Sequence, residues 1–260
     1  MKKLRIALCL SGLIRDFGNA GASYNEFLCK DYNTDVFIHT WNNNSEVNKN
    51  TRFSSSPKLV DPVDKERFFK EIFTDANIKL QLENFDTDWN FRRQYGNGVS
   101  PRTTAIMYYS IYKSNLLKKT KEVDENFKYD VVIRSRMDFL LKEKIPKKEL
   151  EVVCSDRNIV YVGQNSCCKG KSLYDGSSGV VDQFAFGSSH AMDLYSNCYI
   201  DQNNMANVGG EVVLASQFKQ NKLIPTLTSY KFKGLAFVKK DETVYWEDFD
   251  NYEKFTFKTS

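Results

Sequence analysis

The chain has 260 residues, of which 41% are hydrophobic, and this length and composition fit a globular α/β protein with a substantial core. Its 37 basic and 33 acidic residues give a net charge of +4, which is too small for the concentrated basic face typical of nucleic-acid binding. The six cysteines show no Cys/His ligand spacing, so we expect reduced thiols in a cytoplasmic protein rather than a zinc site. The apolar run at 6–14 is short and interrupted, which predicts a buried strand rather than a signal peptide, and we expect no transmembrane segment.

Strands and helices alternate along most of the sequence. Continuous apolar runs predict buried strands, and apolar residues at helical spacing predict the helices between them. The predicted strands are at 4–10, 35–41, 129–134, 158–162, 183–187 and 224–232; the helices are at 19–30, 64–73, 101–119, 188–199 and 211–219; and a loop and a lid are at 42–57 and 164–179. This order predicts an α/β fold with a mostly parallel central sheet flanked by helices, forming a single domain over residues 1–260.

The end of the predicted strand at 129–134 carries two arginines and an aspartate. Because side chains alternate along an extended chain, Arg134, Arg136 and Asp138 point the same way, at the carboxyl end of a strand where α/β sheets bind ligands. Arginine suits phosphate, and a neighbouring carboxylate suits Mg²⁺ or Mn²⁺. The alternative interpretation is a solvated strand end in which arginine and aspartate pair with each other.

Two other strand ends carry candidate ligand-binding residues. Ser11 and Gly12 form a small turn after the first strand, and Arg15 follows within reach of a phosphate. His39 and Trp41 end the second strand, where the indole of Trp41 is a candidate for stacking on a base or sugar. A core role for Trp41 and a structural role for His39 remain open.

Two acidic residues are candidates for a general base, and the sequence favours Glu211 slightly over Asp182. Asp182, followed by Gln183, precedes a hydrophobic strand and is placed to hold sugar hydroxyls or to cap a turn. Glu211 follows Gly209-Gly210 in the first turn of a helix, where the helix dipole stabilises its anion, so it needs partial burial to become a good base. A plain capping role for Glu211 also remains open.

In this order, the motifs resemble those of small glycosyltransferases of the GT-A type from large DNA viruses and from bacteria that build surface polysaccharides. The resemblance covers residues 6 to about 220 and includes IALCLSG with Arg15, DVFIHTW, the helix that begins near Arg102, YDVVIRSRMD, DQFAFG and GE at 210–211. The GT-A pattern has Asp-x-Asp after a central strand. Here Arg136 takes the place of the first Asp and Asp138 that of the second, and an arginine can itself neutralise a diphosphate.

The resemblance implies transfer of a sugar from a nucleotide-diphosphate sugar, UDP- in preference to GDP-, to a hydroxyl of a glycan acceptor. It implies Mn²⁺ or Mg²⁺ at Asp138 and a catalytic base at Glu211 or Asp182. Nucleotide binding is expected at a set of seven residues, namely Ser11, Gly12, Arg15, Trp41, Arg102, Arg134 and Arg136. A nucleotidyltransferase acting on a sugar phosphate and a non-catalytic carbohydrate-binding protein are the alternatives.

Overall fold

The computed structural model describes residues 3–14, 17–42, 63–84, 101–163, 180, 182–201 and 210–228. It also describes the backbone of three short strands, at 236–238, 244–246 and 254–255. The side chains of residues 19, 101–103, 201 and 227 lie outside this description.

Seven of the described strands form one mixed sheet in the order β3-β2-β1-β4-β6-β5-β7. Strand β6 is antiparallel to both of its neighbours, and the other neighbouring pairs are parallel. Their bounds are β1 Arg5–Ser11, β2 Asn33–Trp41, β3 Asn77–Glu83, β4 Val131–Arg136, β5 Ile159–Val162, β6 Phe184–Gly187 and β7 Ile224–Leu227. Strands β8 Ala236–Val238, β9 Val244–Trp246 and β10 Lys254–Phe255 form a separate antiparallel sheet.

Helices cover both faces of the seven-stranded sheet, because its central strands are apolar on both sides. The helices are α1 Phe17–Tyr24, α2 Lys65–Ile72, α3 Pro101–Asp124, α4 Lys147–Ser155, α5 Ser189–Ser196, α6 Cys198–Asp201 and α7 Gly210–Gln220, with a π-helical turn at Asn25–Cys29. Residues of α1, α2 and α4 share one hydrophobic core, and residues of α3, α5 and α7 share the core on the other face.

Local sequence signals account for several helix boundaries. The carboxylate of Asp64 accepts a hydrogen bond of 2.9 Å from the backbone N–H of Arg67 and so caps α2. The hydroxyl of Ser188 caps α5 in the same way, accepting from Ala191 at 3.1 Å.

In the described part of the chain, no helix is long and apolar enough to cross a membrane.

The seven-stranded sheet confirms the predicted α/β class. Helix α4 and strands β3, β8, β9 and β10 were not predicted, and the predicted strand at 224–232 is described only as β7. The predicted loop at 42–57 lies, beyond residue 42, outside the described residues, as does the predicted lid at 164–179.

Candidate functional site

The carboxyl ends of β1, β2 and β4 bring three predicted site residues side by side. Ser11 is in register with His39 on one side and with Arg136 on the other. After Ser11 the chain turns at Gly12, whose φ of +108° is a conformation that glycine adopts without steric cost. Its N–H donates to the carbonyl of His39 at 3.2 Å, which fixes this turn against β2.

Arg136 and Asp138 form a two-pronged ion pair at the end of β4. Nε of Arg136 donates to Oδ1 of Asp138 at 2.8 Å, and Nη2 donates to Oδ2. The aspartate side chain is 6% exposed and the arginine side chain 23% exposed. This is the mutual pairing that the sequence left as an alternative, but it also holds a partly accessible guanidinium at the edge of the sheet.

The segment before β6 lies against the end of β4. The N–H of Arg136 donates to the carbonyl of Gln183 at 3.0 Å, so the predicted Asp182-Gln183 feature adjoins the arginine motif. Asp182 is half-buried, and its charge adds to the burial that raises the pKa values of Tyr108 and Tyr195. Its carboxylate forms no ion pair with the residues that the structure describes.

Arg134 lies deeper than Arg136, on the sheet face that α3 and α5 cover. Its neighbours across the sheet are Cys9 and Ala185, and the residue is only 2% exposed. Nε, Nη1 and Nη2 are all buried and form no hydrogen bond with the residues that the structure describes, and the same is true of the hydroxyl of Tyr195. Burial raises the pKa of Tyr195, and the positive charge of Arg134 opposes that rise, so the two groups are electrostatically coupled.

The start of α7 approaches the same region through its backbone. Tyr108 donates its hydroxyl hydrogen to the carbonyl of Gly210 at 2.7 Å, and the N–H of Val180 donates to the carbonyl of Glu211 at 2.9 Å. The Glu211 side chain nevertheless remains exposed, so it lacks the partial burial that its predicted role requires. Asp182 is the better-placed of the two candidate bases.

An aromatic cluster occupies the ends of β2 and β3. Trp41 is fully buried and stacks on Tyr109 with ring centroids 6.0 Å apart, a packing that corresponds to the core alternative. Its predicted stacking on a nucleotide stays a prediction. His39 packs edge-on against Trp41, and burial lowers its pKa. Glu83 lies 3.7 Å from His39 Nε2, and the contacts with His39 and Lys113 lower the Glu83 pKa to about 2.

Two of the predicted site residues cannot be placed. Arg15 lies outside the described residues, and only the backbone of Arg102 is described, in the first turn of α3. Among the side chains that the structure describes, no group of three or more His, Cys, Asp or Glu residues is arranged to hold a metal ion.

An open groove of about 900 Å³ lies at the opposite, amino-terminal ends of β1, β2 and β3. Several of its lining residues already have partners. Asn77 donates to Asp35, Lys30 pairs with Glu26, and Arg5 lies 4.8 Å from the centre of the Phe127 ring. This groove is therefore not where the unpaired buried guanidinium of β4 is found.

Three residues near the carboxyl edge of the sheet were not singled out from the sequence, namely Tyr108, Tyr195 and Glu83. Alternating Ile78, Leu80 and Leu82 is the signal that could have revealed β3 and hence Glu83 at its end. The tyrosines carry no local signal, because their position depends on packing of α3 and α5 on β4.

The chain matches no protein-family model and no curated protein sequence.

Proposed function

We propose that the protein is a glycosyltransferase of the GT-A type that moves a sugar from a nucleotide-diphosphate sugar, UDP- in preference to GDP-, to a hydroxyl of a glycan acceptor. One observation carries the proposal: Ser11-Gly12, Arg136-Asp138 and Asp182-Gln183 meet at the carboxyl edge of one mostly parallel sheet. Ligands of open α/β sheets bind at this edge. The sheet flanked by helices is also what the resemblance to GT-A enzymes implies.

The proposed reaction is a displacement at the anomeric carbon. The acceptor oxygen forms a bond to that carbon while the bond to the diphosphate oxygen breaks, and the nucleoside diphosphate leaves with the electron pair. Arg136, held by Asp138, neutralises the charge that develops on the diphosphate, and Arg15 is the second candidate for this role. The Gly12 turn lets backbone N–H groups approach the phosphates.

The acceptor proton needs a base if the reaction inverts the anomeric centre. Asp182 fits this role because its half-buried carboxylate lies beside Gln183, next to the arginine motif, and has no ion-pair partner among the described residues. Glu211 is the second candidate, although its side chain is exposed. The proton passes from the acceptor hydroxyl to the carboxylate as the new bond forms.

The described residues do not fit a divalent cation as they stand. Both oxygens of Asp138 accept hydrogen bonds from Arg136, and no second carboxylate joins Asp138 within the described part of the site. A hard cation prefers several oxygen ligands. The mechanism therefore assigns charge neutralisation to arginine, and Mn²⁺ or Mg²⁺ remains a prediction for experiment.

The test is a thermal-shift screen with UDP, GDP, CMP and their sugars, with and without Mn²⁺, followed by product analysis. We expect stabilisation by UDP or a UDP-sugar, and release of UDP together with a glycosylated acceptor. Release of pyrophosphate would identify a nucleotidyltransferase instead. Stabilisation by free sugars with no turnover of any nucleotide sugar would identify a carbohydrate-binding protein.

A further inference from the structure

Arg134 is a buried cation that forms no ion pair within the described part of the chain. It is 2% exposed, and none of its three guanidinium nitrogens has a hydrogen-bond partner among the described residues. Asp182 and Arg134 act in opposite senses on the pKa of Tyr195, but the Asp182 carboxylate makes no hydrogen bond to the guanidinium. Leaving an ionised group buried and unpaired is among the costliest arrangements in a folded protein. A chain that retains such a residue is therefore expected to supply a partner for it in some other state.

The surroundings of Arg134 are suited to an anion. Tyr195 contributes a second unpartnered donor, because its buried hydroxyl also forms no hydrogen bond. Tyr108, equally buried and also coupled to Arg134, differs because its hydroxyl hydrogen is donated to the Gly210 carbonyl. This face of the sheet, which also carries Cys9 and Ala185, thus holds one guanidinium and one hydroxyl that form no hydrogen bond with the described residues.

Arg134 also lies on a direct line from the edge of the sheet. It is two residues before Arg136 on β4, which places it about 7 Å deeper along the strand. Arg136 is partly exposed, and Asp182 lies at the same edge.

We propose that Arg134 and Tyr195 form a buried subsite for one oxyanion of the substrate, a phosphate or a carboxylate group, separate from the Arg136-Asp138 pair. A guanidinium offers two parallel N–H donors to either group, and the tyrosine hydroxyl adds a third. The proposal rests on the proposed function for the kind of molecule that brings the oxyanion. The two possible sources are a phosphate of the nucleotide and the carboxylate of an acidic sugar.

The first measurement is the melting temperature of the ligand-free protein. Arg134→Met replaces the unpaired charge with an apolar side chain of similar length, and we expect Tm to rise by roughly 2–10 °C. Lys118→Met is the matched control, because Lys118 is equally buried but has three partners, and we expect its Tm to fall. A fall in Arg134→Met as large as that in Lys118→Met would overturn the proposal, because it would show a structural partner.

The second measurement is the rise in Tm caused by UDP, inorganic pyrophosphate or glucuronate. We expect at least one of them to stabilise the native protein and to lose this effect in Arg134→Met. An effect of UDP and pyrophosphate identifies phosphate as the source, and an effect of glucuronate alone identifies a carboxylate. If no probe stabilises the native protein, or if each stabilises Arg134→Met equally, the subsite does not exist.

Two tyrosine variants separate binding from packing. Tyr195→Phe removes the unpartnered hydroxyl, so we expect about tenfold weaker binding of the effective probe with no loss of ligand-free Tm. Tyr108→Phe removes the bond to Gly210, so we expect a lower Tm with the probe's effect retained. The reverse pattern would overturn the assignment of Tyr195.

If Arg134→Met does not fold, Arg134→Lys is the second variant, because it keeps the positive charge but loses the two parallel N–H donors of the guanidinium. We expect this variant to fold and to show a smaller rise in Tm with the probe. An undiminished effect would count against the subsite. These measurements need no turnover, so a protein that binds the probe through Arg134 but transfers no sugar would refute the proposed function and leave the subsite standing.

Discussion

Lys118 and Arg134 are both basic side chains buried between the sheet and the helices α3 and α5, yet their surroundings differ completely. Nζ of Lys118 donates to Ser189 and Asp193 at 2.8 Å and to Glu122 at 3.2 Å. No side-chain nitrogen of Arg134 has a hydrogen-bond partner in the described ranges of the chain. Burying either charged side chain costs desolvation energy. Among the described residues, only Lys118 has hydrogen-bond partners that offset this cost.

The comparison separates a structural charge from a functional one. We call Lys118, Glu122, Lys128, Ser189 and Asp193 the lysine cluster. Burial alone would raise the pKa of Glu122, but hydrogen bonds from Lys128 and Ser189 and the charge of Lys118 hold this pKa below its usual range. The cluster is complete without a ligand and joins α3 to α5. At the carboxyl edge, by contrast, Arg134, Tyr195 and His39 all keep unpartnered polar atoms. Unsatisfied groups of this kind are expected where a ligand completes the hydrogen bonding.

Breaking the lysine cluster is expected to give the largest effect on stability. Lys118→Met leaves the buried Glu122 and the half-buried Asp193 with fewer partners, and we expect a loss of about 3–5 kcal/mol in the free energy of unfolding. Urea denaturation measures this loss. Lys119→Met is the control, because the side chain of Lys119 is 41% exposed and lies 3.9 Å from Asp193, so its removal should change stability by less than about 0.5 kcal/mol.

Catalysis is expected to depend on the carboxyl edge of the sheet, through the carboxylate of Asp182. Asp182→Asn should lower transfer by roughly 10²–10⁴-fold with little change in donor affinity, because a base lost from the transition state leaves binding largely intact. Glu211→Gln is the paired variant, and its exposed side chain leads us to expect a smaller effect. Transfer and donor hydrolysis should be measured separately. An inactive Glu211→Gln beside a nearly normal Asp182→Asn would reverse the assignment.

Asp138→Asn tests whether the ion pair at the edge serves the reaction. The substitution replaces one carboxylate oxygen of Asp138 by an amide nitrogen and so weakens its hydrogen bonding with Arg136. We expect transfer to fall roughly 10²–10³-fold while the protein stays folded. Turnover, circular dichroism and the effect of EDTA on the native protein are the measurements. Activity unaffected by EDTA would leave Arg136 as the group that neutralises the diphosphate, whereas unchanged turnover in Asp138→Asn would remove Asp138 from the mechanism.

The sequence predicted those features that depend on local pattern. Continuous apolar runs located β1, β2, β4 and β6, and the residues at their ends do meet at one edge of the sheet. Strand β3 was missed because it is a half-buried edge strand with alternating rather than continuous hydrophobicity.

Features that depend on contacts distant in sequence could not be predicted. Leu116 fits the helical spacing of α3 but is 37% exposed, while the charged Lys118 is fully buried because α5 supplies its partners. Arg134 and Arg136 look equivalent in the sequence. They differ in the structure because Asp138 follows the strand closely enough to reach one of them and not the other.

The smallest predicted effect concerns His39, whose buried ring nitrogens form no hydrogen bond with the described residues, although Nε2 lies 3.7 Å from Glu83. Burial lowers its pKa from the usual 6.5, so the folded protein holds the imidazole neutral while the unfolded chain takes up a proton. Stability from this group is therefore fully present above pH 6.5 and is lost as pH falls below it, by at most about 1.4 kcal/mol for each pH unit. Glu83 does not interfere, because its loss of stability begins only below 4.5, its usual pKa.

Melting curves between pH 7.5 and 5 check this prediction. His39→Gln should flatten the fall in Tm over that range, even if the variant is less stable at every pH. His190, the other histidine of the chain, is exposed, and His190→Asn is the control for the substitution of a histidine away from this site. A slope that survives His39→Gln would mean that the imidazole finds a partner in solution, which would place His39 with the satisfied groups around Lys118 rather than with Arg134.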